Sequence, residues 1–355
     1  MKNLQPPEAG EINGLAGVIQ DCWSYYGKAA AEEAEVRLSY ELASERIDLL
    51  FASERLVPRF TRALAHLKTP TKQDPDLVIR VWDSLSGSHC DPPRPDIPPE
   101  ERDVVPRFMS VDERFIYCWQ AAQVLNMLDR ESSEAFAWTP DVDALERHET
   151  AAPFRYILSW WGGVRRKPLI HAGAVGRDGQ CVLFAGRGGS GKSTTSLTCV
   201  ADGLGYLSDD YLMVDGSADE PIAHSLYNSA KLLPTRDGSV DRLLGTTLDV
   251  PPAGEKEIGF MWENRRETIV TSARAVAVVL PRVVGGRTEL RQVSRAAALK
   301  AIVPSTFLQV PGSSKQDLPG VMRFLSRLPA YELLLGDDTD RISGLVDGLI
   351  DRHGE

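Results

Sequence analysis

The sequence predicts an α/β protein of two domains, and three observations lead to that fold class. The chain has 355 residues, which at about 150 residues per domain corresponds to two domains. Hydrophobic residues make up 43% and charged residues 25%, the ordinary proportions of a folded, soluble chain. After residue 163 short apolar runs alternate with helical stretches, as in a sheet with crossover helices. We expect a smaller α/β domain at residues 1–150, for recognition or regulation, and a catalytic domain with a mixed sheet at residues 151–355.

In the first half the periodicity predicts few elements. Residues 28–56 mix helix formers with apolar positions three or four apart, and we expect a mixed α/β region there. Asp74–Trp82 reads as a strand after a proline turn, and the proline-rich stretch Ser84–Pro106 as a long loop. Pro153–Gly163 predicts an aromatic-rich helix that ends at its paired glycines and joins the two halves.

The second half predicts alternating strands and helices. The expected strands are Leu169–Val175, Gln180–Ala185, Gly205–Val214, Ala273–Leu280 and Ala330–Leu335. The expected helices are Lys192–Asp202, Asp317–Ser326 and Asp340–Leu349.

Composition restricts the partners and the compartment. Forty basic and fifty acidic residues give a net charge of −10, which repels nucleic acids and anionic membranes, so we expect neither as a partner. Five cysteines without a CxxC pair argue against a disulfide framework or a zinc knuckle. The N-terminal stretch has no apolar export segment, and no long apolar span occurs, so we expect a cytoplasmic protein. Assembly into homo-oligomers is left open.

One glycine-rich stretch between a predicted strand and a predicted helix carries the strongest chemical signal. It fits the phosphate-loop pattern GxxxxGK[ST], although a glycine-rich turn can match that pattern by coincidence. Backbone N–H groups and the helix N-terminus favour phosphate there, Lys192 can reach the β- and γ-phosphates, and the Ser193 hydroxyl suits Mg²⁺. The sequence therefore predicts binding of ATP with Mg²⁺. The residues expected to contact the nucleotide are Gly186, Arg187, Gly188, Gly189, Ser190, Gly191, Lys192, Ser193 and Thr194.

Asp209 and Asp210 follow an apolar run, where a strand would deliver them to the same sheet edge as the loop. One of the two acids is suited to hold Mg²⁺ and the other to accept a proton. Consecutive side chains on a strand point to opposite faces, so both can face a phosphate only if the strand breaks there. A plain Asp-Asp turn is the alternative. His171 lies on the strand before the loop, where a lone histidine is more often structural.

His171, the phosphate loop and the Asp pair together resemble the catalytic domain of HPr kinase/phosphorylase, which has these features in this order. Lys192 lies 21 residues after His171, and Asp210 lies 18 residues after Lys192, in agreement with that family. The resemblance covers residues 165–215 well and the remainder loosely. It implies a P-loop kinase domain of the HPr kinase/phosphoenolpyruvate carboxykinase type with a mixed sheet. It also implies that Asp210 accepts the proton, Ser193 binds magnesium and His171 lies near the transferred phosphate.

Two departures from HPr kinase change the expected substrate. Thr194 stands where that enzyme has a glutamate, and no ExRG signature follows the Asp pair. The sequence looks closer to HPr-kinase-related serine kinases, including those that phosphorylate lasso peptides. The segment SLYNSAKLLP resembles one that these kinases carry after the Asp pair, so Lys231 is a candidate to clamp the γ-phosphate. Lys256 and Arg282 are further basic candidates.

The sequence thus predicts transfer of the ATP γ-phosphate to a serine hydroxyl of a peptide or protein. In this prediction Lys192 and the loop hold ATP, Ser193 and Asp209 secure Mg²⁺, and Asp210 is the general base near His171. One alternative is a small-molecule kinase or carboxykinase-like enzyme, for which His171, His224 and Lys231 are the available metal candidates. Another is a sensor that binds ATP without turning it over. The sequence does not identify the acceptor.

Overall fold

The computed structural model describes residues 12–71, 74–87, 91–92, 107–111, 113–120, 124–233, 255–309 and 314–354. The protein is α/β with mixed sheets, as the sequence predicts. Its contacts divide the chain into two compact units. The first contains the residues up to Thr61 together with Lys68–Trp161, and the second contains Arg62–Leu67 and the residues from Gly162 onwards. The roles predicted for residues 1–150 and 151–355 stay predictions.

The first unit is built on a mixed sheet in the order β3-β1-β2-β4-β8-β7-β6-β5. Strands β2, β4 and β8 run parallel to one another, and the other pairings are antiparallel. The strands are β1 Val36–Leu42, β2 Glu45–Phe51, β3 Lys68–Thr69, β4 Leu77–Asp83, β5 Arg107–Val111, β6 Phe115–Gln120, β7 Val124–Asp129 and β8 Glu134–Thr139. The helices are α1 Ile12–Glu32, α2 Val57–Thr61 and α3 Arg147–Ala151.

Residues 28–56 are mixed α/β, as expected, but the helical part ends at Glu32 with α1. Residues 36–51 form the β1–β2 hairpin instead. Its two-residue turn is made by Ala43 and Ser44, whose φ angles of 52° and 65° lie in the left-handed region. Turns of this kind normally contain Asn or Gly, so the sequence carried no hairpin signal. The strand predicted from Asp74 begins at Leu77, and the loop predicted over 84–106 falls mostly outside the described residues.

Helix α4 spans Arg155–Val164 and runs through the paired glycines that were predicted to end it. Gly162 does not end the helix, but its lack of a side chain allows neighbouring atoms to pack closely against it. A Cβ atom there would lie 2.3 Å from Met213 Cε and 2.6 Å from the Lys167 carbonyl oxygen.

The second unit is a sheet covered by helices on both faces. Helices Lys192–Ala201 and Ile342–His353 pack on one face, and helices Arg295–Gln309 and Ser314–Ser326 pack on the other. The strands are β9 Leu169–His171, β10 Gly173–Arg177, β11 Gln180–Phe184, β12 Gly205–Ser208, β13 Tyr211–Asp215, β14 Ile222–Ser225, β15 Ser229–Leu232, β16 Glu257–Phe260, β17 Ser272–Val283, β18 Glu289–Val293 and β19 Ala330–Leu335. The helices are α5 Lys192–Ala201, α6 Met261–Asn264, α7 Arg295–Gln309, α8 Ser314–Ser326 and α9 Ile342–His353. Strands β14, β15, β16 and β18 and helices α6 and α7 were not predicted from the sequence.

The sheet order β12-β10-β11-β17-β14-β13-β9 brings several strand ends to one edge. Strand β10 is antiparallel to both β11 and β12, so β11 and β12 run in the same direction. Strands β17 and β19 run parallel to β11. The residues after β11 and after β12 therefore meet at the same edge, as the sequence predicts.

The strands predicted as Leu169–Val175 and Gly205–Val214 are each interrupted. His171 pairs with Tyr211, and Ala174 pairs with Ser208 in the same register, but the ladder is broken at Asp209 and Asp210. Ser208 closes the resulting bend, because its hydroxyl donates to the Tyr211 carbonyl oxygen at 2.8 Å and accepts from the Tyr211 N–H at 3.1 Å. This break removes the alternation that would otherwise send the two carboxylates to opposite faces.

Candidate functional site

Residues Gly186–Ser193, called the glycine loop below, connect β11 to α5. Gly186, Gly189 and Gly191 have φ angles of 152°, 78° and 99°. At Gly191 the surroundings demand glycine as well, because a Cβ atom would lie 2.4 Å from Leu335 Cδ1. The backbone therefore follows a path at these positions that other residues rarely adopt.

Lys192 is the first residue of α5 and is 7% exposed. Its ammonium donates to the carbonyl oxygens of Gly186 at 2.6 Å and Arg187 at 3.4 Å. Burial lowers the pKa of Lys192, while the negative charges of Asp210 and Asp209 raise it. Both carboxylates therefore act electrostatically on the lysine of the loop.

Asp209 is 1% exposed. Its Oδ2 accepts the Lys231 backbone N–H at 2.9 Å, whereas Oδ1 has no hydrogen-bond partner among the described residues. Burial, together with the charge of Asp210, raises the pKa of Asp209 to about 6, and Lys231, Lys256 and Ser193 oppose that rise. A buried carboxylate oxygen beside a serine hydroxyl is a donor set that suits a hard divalent cation.

Asp210 lies next along the chain but has a different environment. Lys231 Nζ lies 2.9 Å from its Oδ2, and His171 Nε2 lies 3.5 Å from its Oδ1. Burial raises the pKa of Asp210, but the charge of Lys231 and the contact with His171 outweigh it and hold the pKa well below its usual range. Asp210 is therefore ionised at neutral pH.

His171 reaches Asp210 because of strand register. It ends β9 opposite Tyr211, the residue that follows Asp210. The backbone N–H of His171 donates to Thr306 Oγ1 on α7 at 2.9 Å, and the residue is 6% exposed. Its position beside Asp210 is a consequence of the sheet and not of local sequence.

Lys231 lies on β15, which pairs with β16 in a separate two-stranded sheet. It contacts both carboxylates, through its N–H to Asp209 and through its ammonium to Asp210. Tyr206 also holds this strand, since its hydroxyl donates to the Ser229 carbonyl oxygen at 2.7 Å. Lys256 is exposed, yet its charge lowers the pKa of both Asp209 and Lys192.

The other sequence candidates have different surroundings. His224, on β14, has Lys167 and Asp215 as charged neighbours, and burial and Lys167 lower its pKa to about 4.

Arg282 pairs with Glu332 at 3.5 Å. Arg187, Gly188 and Gly189 are exposed, and so is Thr194 on α5. Arg187 and Arg282 line a cavity of about 570 Å³ that borders the first half of the glycine loop.

Sequence reasoning missed two features that shape the site. The first is Gly173 on β10, which has no side chain and so allows the backbone at Asp209 to approach closely. A Cβ atom at this position would lie 3.1 Å from the Asp209 carbonyl oxygen and 2.9 Å from Ser196 Oγ. The second is Asn228, which is fully buried just before β15. Asn228 lies within the SLYNSAKLLP segment, but nothing in the sequence marked either residue as part of the site.

Within the described part of the chain, no group of three or more His, Cys, Asp and Glu side chains is placed to bind a metal. No helix there has both the length and the apolar character needed to cross a membrane.

Comparison with known proteins leaves the family open. No family model matches the chain, and no curated protein matches it. Among solved structures it is similar to the Hpr(Ser) kinase/phosphatase from Coxiella burnetii. That match has 14% sequence identity and a TM-score of 0.28, and it covers 53% of this chain and 97% of the other. At these values the likeness assigns no function, so the function has to be inferred from the side chains.

Proposed function

We propose that the protein is an ATP-dependent phosphotransferase that moves the γ-phosphate of ATP to a serine hydroxyl of a peptide or protein. The observation that carries this proposal is the position of Asp210. Its carboxylate is ionised, contacts Lys231 and His171, and acts electrostatically on Lys192 of the glycine loop. A protein that only binds a nucleotide has no need of this second carboxylate.

The glycine loop would hold the triphosphate. Its exposed first half and the start of α5 offer backbone N–H groups and the positive end of a helix, which favour phosphate. The Lys192 ammonium, which contacts two loop carbonyls, would transfer its hydrogen bonds to the β- and γ-phosphates. Such an exchange of partners keeps the buried ammonium hydrogen-bonded throughout.

Asp209 and Ser193 are the residues that would hold Mg²⁺. The unpartnered Asp209 Oδ1 fits this role, because a divalent cation compensates the cost of ionising a buried carboxylate. Magnesium is commonly bound through one or two carboxylates together with substrate phosphates. When bound, it neutralises charge on the phosphoryl oxygens.

Asp210 would accept the proton of the serine hydroxyl. The serine oxygen forms a bond to the γ-phosphorus, the bond between that phosphorus and the β,γ-bridging oxygen breaks, and ADP leaves. Once the hydroxyl begins to bond to phosphorus its proton becomes acidic, so a carboxylate of low pKa can accept it. His171 would orient Asp210, and Lys231 would place positive charge beside the transferred group.

The carboxykinase-like alternative needs a metal site of His and Lys side chains. Two of its three candidates, His171 and Lys231, meet at Asp210. The third, His224, has Lys167 and Asp215 as its charged neighbours. The sensor alternative is decided by experiment.

The test is incubation of the protein with γ-³²P-labelled ATP, Mg²⁺ and a pool of serine peptides, with serine-to-alanine peptides as the matched control. We expect label on serine and an equal amount of ADP, and no label on the alanine peptides. ATP binding with neither transfer nor hydrolysis would contradict the proposal and favour a sensor. Label on a small molecule alone would favour the other alternative.

A further inference from the structure

The short segment Arg62–Leu67 belongs by its contacts to the second unit, although its sequence neighbours belong to the first. It forms a 3₁₀ helix in which Ala63, Leu64, His66 and Leu67 are buried. Nothing in its sequence indicated a role. Its contacts lead to the strand that carries Lys231.

Asn228 makes the central contact. Its side-chain amide donates to the Arg62 carbonyl oxygen at 2.8 Å and to the Ala63 carbonyl oxygen at 2.9 Å. Its backbone N–H also donates to the Ala63 carbonyl oxygen at 2.8 Å. Asn228 is fully buried, so these hydrogen bonds are shielded from water and costly to lose.

The same residue fixes both strands of the small β15–β16 sheet. The Asn228 carbonyl oxygen accepts the Met261 N–H at 2.8 Å, immediately after β16 ends. Lys231 lies three residues beyond Asn228 on β15 and contacts both Asp209 and Asp210. A shift of Asn228 would therefore displace the lysine from both carboxylates.

Two further contacts attach the segment. Arg62 pairs with both carboxylate oxygens of Glu263 on α6, at 2.8 and 2.7 Å, and lies 4.3 Å from the ring centre of Phe260. His66 Nε2 lies 2.9 Å from the hydroxyl of Ser225, three residues before Asn228. The segment thus contacts the chain on both sides of Asn228 and next to β16.

We propose that Asn228 is a positioning residue: by holding the carbonyls of Arg62 and Ala63 it sets the place of Lys231 against Asp209 and Asp210. Arg62–Leu67 is then a necessary part of the phosphotransfer site. The inference rests on the proposed function and adds residues that touch neither nucleotide nor acceptor. A displacement of about 1 Å at a reacting group can cost about a hundredfold in rate, so the expected effect is large.

A double-mutant cycle separates positioning from general stability, because residues that act through one another are not additive. Asn228→Ala is measured in the wild-type chain and in a Lys231→Ala background, with labelled ATP and the serine-peptide pool. We expect kcat to fall about 10- to 100-fold in the wild-type background, and ATP affinity to stay within about twofold. In the Lys231→Ala background the same substitution should change kcat by less than about twofold. A fall there that equals or approaches the wild-type fall would overturn the proposal, as would an unchanged kcat in the wild-type chain.

Asn126→Ala is the matched control, since Asn126 is also buried, at 3% exposure, but lies on β7 of the first unit. We expect it to lower the unfolding temperature without lowering kcat. Equal kcat losses in the Asn126 and Asn228 variants would show a general effect of stability and overturn the positioning role.

Arg62→Ala is the second variant, to be used if Asn228→Ala does not fold. The Arg62 and Glu263 side chains are partly exposed, at 31% and 38%, so removing their ion pair should disturb folding less. We expect a smaller fall in kcat that again disappears in the Lys231→Ala background; a fall that persists there overturns the proposal.

If the wild-type chain transfers no phosphate at all, the proposed function fails and the role of Asn228 fails with it. Normal transfer with an unaffected Asn228 variant removes only the positioning role.

Discussion

The glycine loop and the Asp209–Asp210 bend meet at one edge of the sheet, but they are built in different ways. The loop is one continuous stretch of eight residues whose path is set by its own glycines. The bend depends on distant partners: His171 through strand register, Lys231 from a separate small sheet, and Gly173 through a close backbone approach. Changes in the loop should therefore affect nucleotide binding and local strain, whereas changes at the bend should affect catalysis and the energetics of buried charge.

The largest expected effect lies at the bend. Asp210→Asn removes the proposed proton acceptor but keeps the shape of the side chain. We expect kcat for serine phosphorylation to fall by about 10²- to 10⁴-fold, with ATP affinity little changed, measured by steady-state transfer assays and ATP titration. Asp178→Asn, at a side chain that is 78% exposed in the same unit, is the control and should leave kcat unchanged. An active Asp210→Asn variant would refute the role of the base.

The loop should respond differently. Lys192→Ala removes the ammonium that contacts the Gly186 and Arg187 carbonyl oxygens. We expect both weaker ATP binding and a fall in kcat of about 10²- to 10³-fold. Titration with ATP and the transfer assay measure the two effects separately. Lys28→Ala, at an exposed lysine of the first unit, should change neither. Unchanged ATP affinity in the Lys192 variant would mean that the glycine loop is not the phosphate site.

Asp209→Asn should lower activity and raise stability at once. In the folded chain the pKa of Asp209 is raised from 3.8 to about 6. The folded state therefore binds this proton more tightly than the unfolded state, and stability is lost as pH rises from about 4 to about 6. Above that range the asparagine variant should be more stable than wild type by about 3 kcal/mol, and below about pH 4 the difference should vanish.

Urea unfolding at pH 8 and at pH 4 measures that difference. A less stable Asp209→Asn variant at pH 8 would show that Asp209 is not a strained buried carboxylate.

The smallest expected effect concerns loop geometry. Gly191→Ala places a Cβ atom 2.4 Å from Leu335 Cδ1 at a φ of 99°, and we expect a loss of about 1–3 kcal/mol of unfolding free energy. Gly188→Ala is the matched control within the loop, because no atom lies within 4 Å of its Cβ position. Thermal unfolding of the two variants should differ clearly. Equal stability would mean that the backbone of the loop adapts freely.

The sequence predicted the loop well because its information is local. A strand, a GxxxxGK[ST] match and a helix occur within 22 residues, and the structure has β11, the glycine loop and α5 at those positions. The sequence also indicated that Asp209 and Asp210 would lie at the same edge, since both segments follow apolar strands. Lys231 was found only through a family resemblance.

What the sequence could not predict depends on tertiary structure. The broken ladder at Asp209 follows from a pairing register with residues almost 40 positions earlier, and that register has no signature in either strand alone. The pKa of Asp209 is raised and that of Asp210 is lowered. This difference can be predicted only when it is known that Asp210, and not Asp209, contacts Lys231 Nζ. Asn228 donates hydrogen bonds to backbone carbonyls of Arg62–Leu67, which lies more than 160 residues earlier in the sequence. Sequence periodicity cannot detect a contact of this kind.

The central claim is that the glycine loop and the Asp209–Asp210 bend act on one magnesium-bound triphosphate. Its most direct test is the thermal stabilisation of the protein by ATP, measured with and without Mg²⁺ in wild type, Lys192→Ala and Asp209→Asn. A ligand that binds only the folded state stabilises it by an amount that grows with the logarithm of the ratio of free ligand concentration to Kd. We predict that Mg²⁺ increases the stabilisation of wild type by ATP, that Asp209→Asn loses this increase but keeps the effect of ATP alone, and that Lys192→Ala loses both. A full magnesium increase in the Asp209→Asn variant would contradict the claim.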